Sequence, residues 1–299
     1  MMRFQSLICA WLAGMLLLVV PAPVQAAPLN SSASVIRAKT SQTVSPQQVL
    51  EELANADVVY LGETHDSPED HRAQLEILQA LHQKRSDWTI GMEMFQRPYQ
   101  AVLDAYLAGN LTEADLQERS QYKKRWGYSW EFYAEILRFA KAQGLPVIAL
   151  NTPTEVTRKV SRQGLESLTL SDRRFVPPLS AIELGPPEYR QRMQEVYEQI
   201  HQGKSNSLNF ERFFQAQVLW DETMAERIAQ TLQQAPKTRM LVLVGQGHLF
   251  YGDGIPNRVA RRVRRPSFSQ ISVLLNPPDE VRTPSDRPIA DYYWMSSQK

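Results

Sequence analysis

Four stretches of almost unbroken apolar residues end abruptly in polar ones. Val58-Val59-Tyr60-Leu61 runs into Gly62-Glu63-Thr64-His65-Asp66, and Thr89-Ile90-Gly91-Met92 into Glu93. Pro146-Val147-Ile148-Ala149-Leu150 ends in Asn151, and Met240 to Val244 ends in Gly245-Gln246-Gly247-His248. Runs that do not alternate are the mark of parallel strands covered on both faces. Helical pattern separates them, so the expected fold is α/β: a central, largely parallel sheet flanked by helices. In such sheets ligands bind beyond the carboxyl ends of the strands, where these four runs carry their polar residues.

The intervening pattern places further elements. Pro46 to Ala54 reads as a short helix, and Ser67-Pro68 as the cap and first residue of a helix running to about Lys84. On that helix His71 and Gln74 share a face and lean back over the first strand end. Helices are also expected from about Arg97 to Ala108 and before Gly144. Trp126-Gly127-Tyr128-Ser129-Trp130-Glu131-Phe132-Tyr133 sets five aromatics in eight positions; Phe132 and Leu137 read as core, while Tyr128, Trp130 and Tyr133 lie near the strand ends. Between about 154 and 205, prolines interrupt helical pattern, and a helical insertion serving as a lid is expected. Ser207 to Gln233 is a long helix on which Gln217 and Asp221 share a face. Gln270 to Leu275 is the last strand expected. A single α/β domain then spans 46–276, with a flexible leader over 27–45 and a tail from 277 to 299.

Composition narrows the partners. With 33 Lys plus Arg against 32 Asp plus Glu, no global charge recruits nucleic acid, and the 43% hydrophobic content suffices for a core. Arg258, Arg261, Arg262, Arg264 and Arg265 form one dense basic patch, read as a solvated helix face. Arg3, the apolar Leu7 to Val20 and Val24-Gln25-Ala26 have the form of a signal peptide over residues 1–26, cleaved after Ala26, so an exported, periplasmic or envelope-associated protein is expected. The sole cysteine, Cys9, lies near the start of the apolar stretch and not at its end, where a lipid-attachment cysteine would stand, and the mature chain has no thiolate to offer a metal.

Glu63, His65, Glu93, Asn151 and His248 therefore gather at strand ends, with His71, Gln217 and Asp221 reaching in from helices. Such a set can hold a divalent cation, through Glu63, His65 and His248, and acidify a bound water. It can also work without metal, one histidine acting as general base. Either arrangement would hydrolyse peptide or ester bonds, with Glu63, His65, Glu93 and His248 as the working groups.

In order along the chain, Leu61-Gly62-Glu63-Thr64-His65-Asp66 with His71 and Gln74, Glu93-Met94-Phe95 with Gln100, the Trp130 to Tyr133 segment, Asn151, Gln217 with Asp221, and Gly245-Gln246-Gly247-His248 resemble the ChaN family of haem-binding, iron-regulated proteins. The resemblance runs from about Val58 to Pro256. Its superfamily also holds Tiki-type metalloproteases, TraB-like proteins and erythromycin esterases. The resemblance implies an α/β domain with a helical lid, haem as ligand, a role in haem or iron acquisition at the bacterial envelope, and homodimers that hold haems between subunits. Tyr128, Tyr133 and His65 are the iron-ligand candidates. Trp130, His71, Asn151, Gln217 and Asp221 would serve as further cofactor contacts, and the hydrolase reading stands beside the haem reading.

Overall fold

The computed structural model describes residues 33–201, 207–282 and 286–296. The expected signal peptide lies outside the described residues. Among those described, the strands are β1 (Ser34–Arg37), β2 (Gln42–Val44), β3 (Val58–Glu63), β4 (Trp88–Gln96), β5 (Val147–Asn151), β6 (Arg239–Gly245), β7 (Gln270–Leu275) and β8 (Tyr292–Met295). They form one sheet in the order β2-β1-β8-β7-β3-β6-β4-β5. The run from β8 to β5 is parallel, and β1 is antiparallel to both β2 and β8.

The α-helices are α1 (Pro46–Asn55), α2 (Pro68–Lys84), α3 (Gln100–Leu107), α4 (Glu113–Arg119), α5 (Tyr122–Arg125), α6 (Glu131–Gln143), α7 (Thr154–Gln163), α8 (Pro187–His201), α9 (Ser207–Gln234) and α10 (Ile255–Val263). One face of the sheet packs on α1, α2 and α6 through residues such as Leu53, Ile77, Leu81 and Leu137. The other packs on α9 and α10 through Met224, Ile228, Ile255 and Val259. Burial on both faces explains the unbroken apolar runs. Ser45 and Ser67 cap α1 and α2, each accepting a backbone N–H three residues on, with Pro46 and Pro68 at the first helical positions.

Two expectations are corrected at the chain's ends. Residues 34–44, read as a flexible leader, contribute β1 and β2. Residues 292–295, read as tail, form β8 between β1 and β7. Val35 pairs with Trp294 in register and both side chains are fully buried. Strands of three or four residues are too short to show a period, and β1 and β8, which pair, lie at opposite ends of the described chain.

The basic patch is also corrected. Arg258, Arg261 and Arg262 of α10 converge on the fully buried carboxylate of Glu222 in α9, with Arg261 Nη2 at 2.8 and 2.9 Å from its two oxygens. Glu222 Oε1 also accepts the backbone N–H of Glu183 at 2.9 Å. The cluster fastens the segment between α7 and α8 to the body of the molecule. A buried carboxylate requires such partners.

Candidate functional site

β3, β4, β5 and β6 are neighbours in the sheet, so their ends bring Glu63, Glu93, Asn151 and the Gly245–His248 turn together. The groups resolve into two connected chains.

The first is centred on Glu63, whose side chain is fully buried. Tyr133 O–H donates to its Oε1 at 2.5 Å and Gln74 Nε2 to its Oε2 at 2.6 Å. His65 Nδ1 stands 2.8 Å from Oε1. His71 lies behind: one ring nitrogen is 3.1 Å from the His65 carbonyl oxygen, the other 3.2 Å from Gln74 Oε1, and Phe132 stacks on its ring. Asp70, buried at the start of α2, accepts Thr64 N–H at 2.7 Å and fixes the turn that presents His65.

The second chain runs Glu93, His248, Asp221, Tyr189. His248 Nε2 is 3.4 Å from Glu93 Oε1, and its Nδ1 is 2.5 Å from Asp221 Oδ1. Tyr189 O–H, from α8, donates to Asp221 Oδ2 at 2.7 Å. Gly245 N–H donates to Glu93 Oε2 at 2.8 Å, and Asn151 Nδ2 to the Glu93 carbonyl at 2.9 Å. Near Glu93 the pairing of β4 with β5 shifts register, so this carboxylate sits at an irregularity inside the strand and not at its last residue.

Charge follows from this geometry. Burial disfavours the His248 cation, but Glu93 and Asp221 outweigh it and push the imidazole up to about 10. Burial likewise opposes a charge on His65, yet the bond to Glu63 and the charge of Glu93 raise it. Glu93 is driven up by burial and, more strongly, down by the two imidazoles, ending below the usual carboxylate range. Burial and the neighbouring Glu63 push the Tyr133 phenol far up.

The opening of the site lies at His65. Its side chain is 26% exposed, with Trp126 edge-on at 4.7 Å and Tyr128 tilted at 5.0 Å between ring centroids. Tyr128 is 40% exposed. With Nδ1 donating to Glu63, a neutral His65 ring keeps its lone pair on Nε2, which has no hydrogen-bond partner among the described residues.

The expected residues therefore separate. Glu63, His65, His71, Glu93, Asn151, Asp221 and His248 join the cluster. Trp130 does not: it is turned into the core against Tyr122 and Phe95, its indole N–H donating to Glu113 at 2.6 Å. Tyr133 is fully buried and committed to Glu63, out of reach of a ligand at the opening. Gln217, one turn before Asp221, makes no hydrogen bond to the cluster. Among the described residues no group of three His, Cys, Asp or Glu side chains is placed to hold a metal ion. The expected set of Glu63, His65 and His248 does not converge as a cation site in this structure: His248 faces a carboxylate at each ring nitrogen, and Glu63 is taken up by Tyr133, Gln74 and His65. Sequence reading missed Tyr189, which lies in a polar helix of the insertion with no strand-end context, and Trp126, whose place at the opening carries no local signal.

The family model described as haem-binding uptake, Tiki superfamily, ChaN matches residues 49–259. Among curated proteins the chain is 30% identical, over 285 residues and 89% of its length, to the chloroplastic protein RETICULATA-RELATED 5 of Arabidopsis thaliana, and spans 38% of that protein. Among solved structures it matches ChaN of Campylobacter jejuni, studied for cofacial haem binding, with a TM-score of 0.70 and 19% identity over 89% of this chain and 98% of that one. An erythromycin esterase in its open conformation matches at a TM-score of 0.47 and 12% identity, over 82% of this chain and 76% of that one. The first of these structures has the fold described above, and the family match covers all four polar strand ends: this chain belongs to the haem-binding ChaN family of the Tiki superfamily.

Proposed function

We propose that this protein is exported, binds haem at the opening formed by Trp126, Tyr128 and His65, and serves haem or iron acquisition at the cell envelope. The observation that carries this reading is Tyr128, an exposed phenol whose ring centroid lies 5.0 Å from that of His65, whose Nε2 has no hydrogen-bond partner among the described residues. A haem site needs an iron donor with an available lone pair, an apolar face and cations for the propionates. Tyr128 and His65 supply donors, the Trp126 and Tyr128 rings a face, and the exposed Lys123 and Lys124, just before in sequence, cations. These residues fit the group. Tyr128 or His65 would hold the group by its iron, and haem would supply there a metal centre able to accept a phenolate or imidazole donor. Glu63 orients His65 from behind, as carboxylates orient ligating histidines elsewhere. The homodimer that the family resemblance implies is proposed as the haem-loaded form.

Haemin titration of the chain from Ala27 onward, followed by its visible spectrum and by sedimentation, tests this. A saturable Soret band that is weakened or shifted in Tyr128→Phe or His65→Gln is expected. Absence of saturable binding overturns the proposal.

A hydrolase remains the second reading, favoured by the Glu63–His65 pair. A carboxylate on Nδ1 that leaves Nε2 as the available base of the ring is a general-base arrangement, and the charged His248 nearby would stabilise developing negative charge. His65→Gln would then abolish ester or peptide turnover while Tyr128→Phe leaves it.

A further inference from the structure

Helix α8 meets the site through two side chains one turn apart on the same face. Tyr189 O–H donates to Asp221, which holds His248 Nδ1. Arg192 pairs with the buried carboxylate of Asp253 and lies 4.6 Å over the ring of Tyr251. Both contacts land on the segment from His248 to Gly254 or on its direct partner. That segment is tightly constrained: Tyr251 is a non-glycine residue at φ +59°, and a Cβ on Gly254 would overlap the carbonyl oxygen of His248 and stand 3.2 Å from Asp221 Oδ2. The groups facing His248 are Glu93 from β4, Asp221 from α9, His65 from the turn after β3 and the edge of Trp220.

We propose that α8 is part of the site and not merely its cover: Tyr189 is a positioning residue that, through Asp221, holds the His248 imidazole against Glu93, so that undocking α8 frees the imidazole. Asp221 has two oxygens. One accepts from the tyrosine and the other from the imidazole, so its rotamer is fixed only while both donors are present. Removing the phenol lets the carboxylate turn, and the imidazole loses the partner that sets its ring plane. The reach of His248 toward anything bound at the strand ends is then set by the position of the insertion. This depends on the chain of contacts alone and not on whether the ligand is haem.

The test is the His248 Nδ1 proton, which a buried bond to a carboxylate protects from exchange and moves downfield in proton NMR; its assignment comes from loss of the signal in His248→Gln. In the ligand-free full chain, Tyr189→Phe is expected to speed its exchange with solvent at least tenfold. Phe214→Leu, which disturbs the ring packed 5.7 Å from Tyr189 but keeps the hydroxyl, is expected to leave it within twofold. Unchanged exchange in Tyr189→Phe, or equal acceleration in Phe214→Leu, overturns the proposal. If Tyr189→Phe fails to fold, Arg192→Gln replaces it: acceleration there supports the coupling of α8 to the imidazole and no change overturns it. Haemin affinity of the same variants is a separate readout, so failure of the haem reading leaves this result intact.

Discussion

Glu63 and His65, two residues apart at the end of β3, face each other at 2.8 Å, and the carboxylate that holds the imidazole is itself held by Gln74 and Tyr133. Three donors on two oxygens leave no room for an amide. Glu63→Gln puts an N–H₂ group against at least one of these donors, and a buried donor without an acceptor costs about 1–3 kcal/mol. Equilibrium unfolding in urea should show that loss, and Tyr133→Phe a smaller one of about 1 kcal/mol. Tyr133→Phe should leave haemin affinity within a few fold, whereas Tyr128→Phe should not.

Stability should depend on pH through the second chain. His248 is raised from 6.5 to about 10, so its contribution is fully present below about pH 6.5 and is lost as pH rises toward 10. Glu93 is lowered from 4.5, so its contribution is present above that value and is lost as pH falls through its depressed value. Melting temperature should therefore be highest between the two limits and decline steadily from neutral to alkaline pH. The alkaline limb should be largely flattened in His248→Gln, as a series of thermal melts from pH 5 to 10 would reveal.

Gly245 and Gly254, on either side of His248, are fixed by contact. A Cβ on Gly245 would lie 2.8 Å from His65 Cε1 and 3.0 Å from Nε2, pushing the imidazole from its place. Gly245→Ala should cost about 1–3 kcal/mol, typical of forced overpacking, and should change the environment of His65 in NMR. Gly254→Ala, aimed at the backbone of His248, should be the worse of the two, because a carbonyl cannot swing aside as a ring can.

The buried ends of the chain give a plainer expectation. Trp294 fills the space beside Val35 with no exposed surface, and Trp294→Ala should cost about 3–5 kcal/mol. Glu222→Gln, leaving Arg258, Arg261 and Arg262 without a buried counter-charge, should cost a similar amount. Differential scanning calorimetry distinguishes both from surface substitutions, which stay within about 0.5 kcal/mol.

The four parallel strands and the polar residues at their ends were legible because each run is long enough to reveal burial on both faces, and because one geometric rule places all such ends at one rim. Asp221 was legible as one of two polar residues on a single face of the long helix α9, though spacing could not tell it from Gln217, which makes no hydrogen bond to the cluster. What escaped was set by distance in sequence. β1 and β8 are four residues each and meaningful only together, the arginines of α10 look solvated until Glu222 is seen beneath them, and Tyr189 gains its role only when α8 folds back on α9. Among the aromatics, spacing alone could not tell Tyr128, which faces solvent, from Trp130 and Tyr133, which do not.

The insertion of β8 between β1 and β7 bears on the order of folding. Until residues 292–295 have been synthesised, the edge of β7 has no neighbour on that side and the hairpin of β1 and β2 has no sheet to join. Pairings between positions this far apart bear their loop-closure entropy before any contact rewards it, and are slow to form. A nascent chain of this topology completes its sheet only when its last strand arrives. A polypeptide that closes late stays threadable for longer, a property in keeping with the export proposed above.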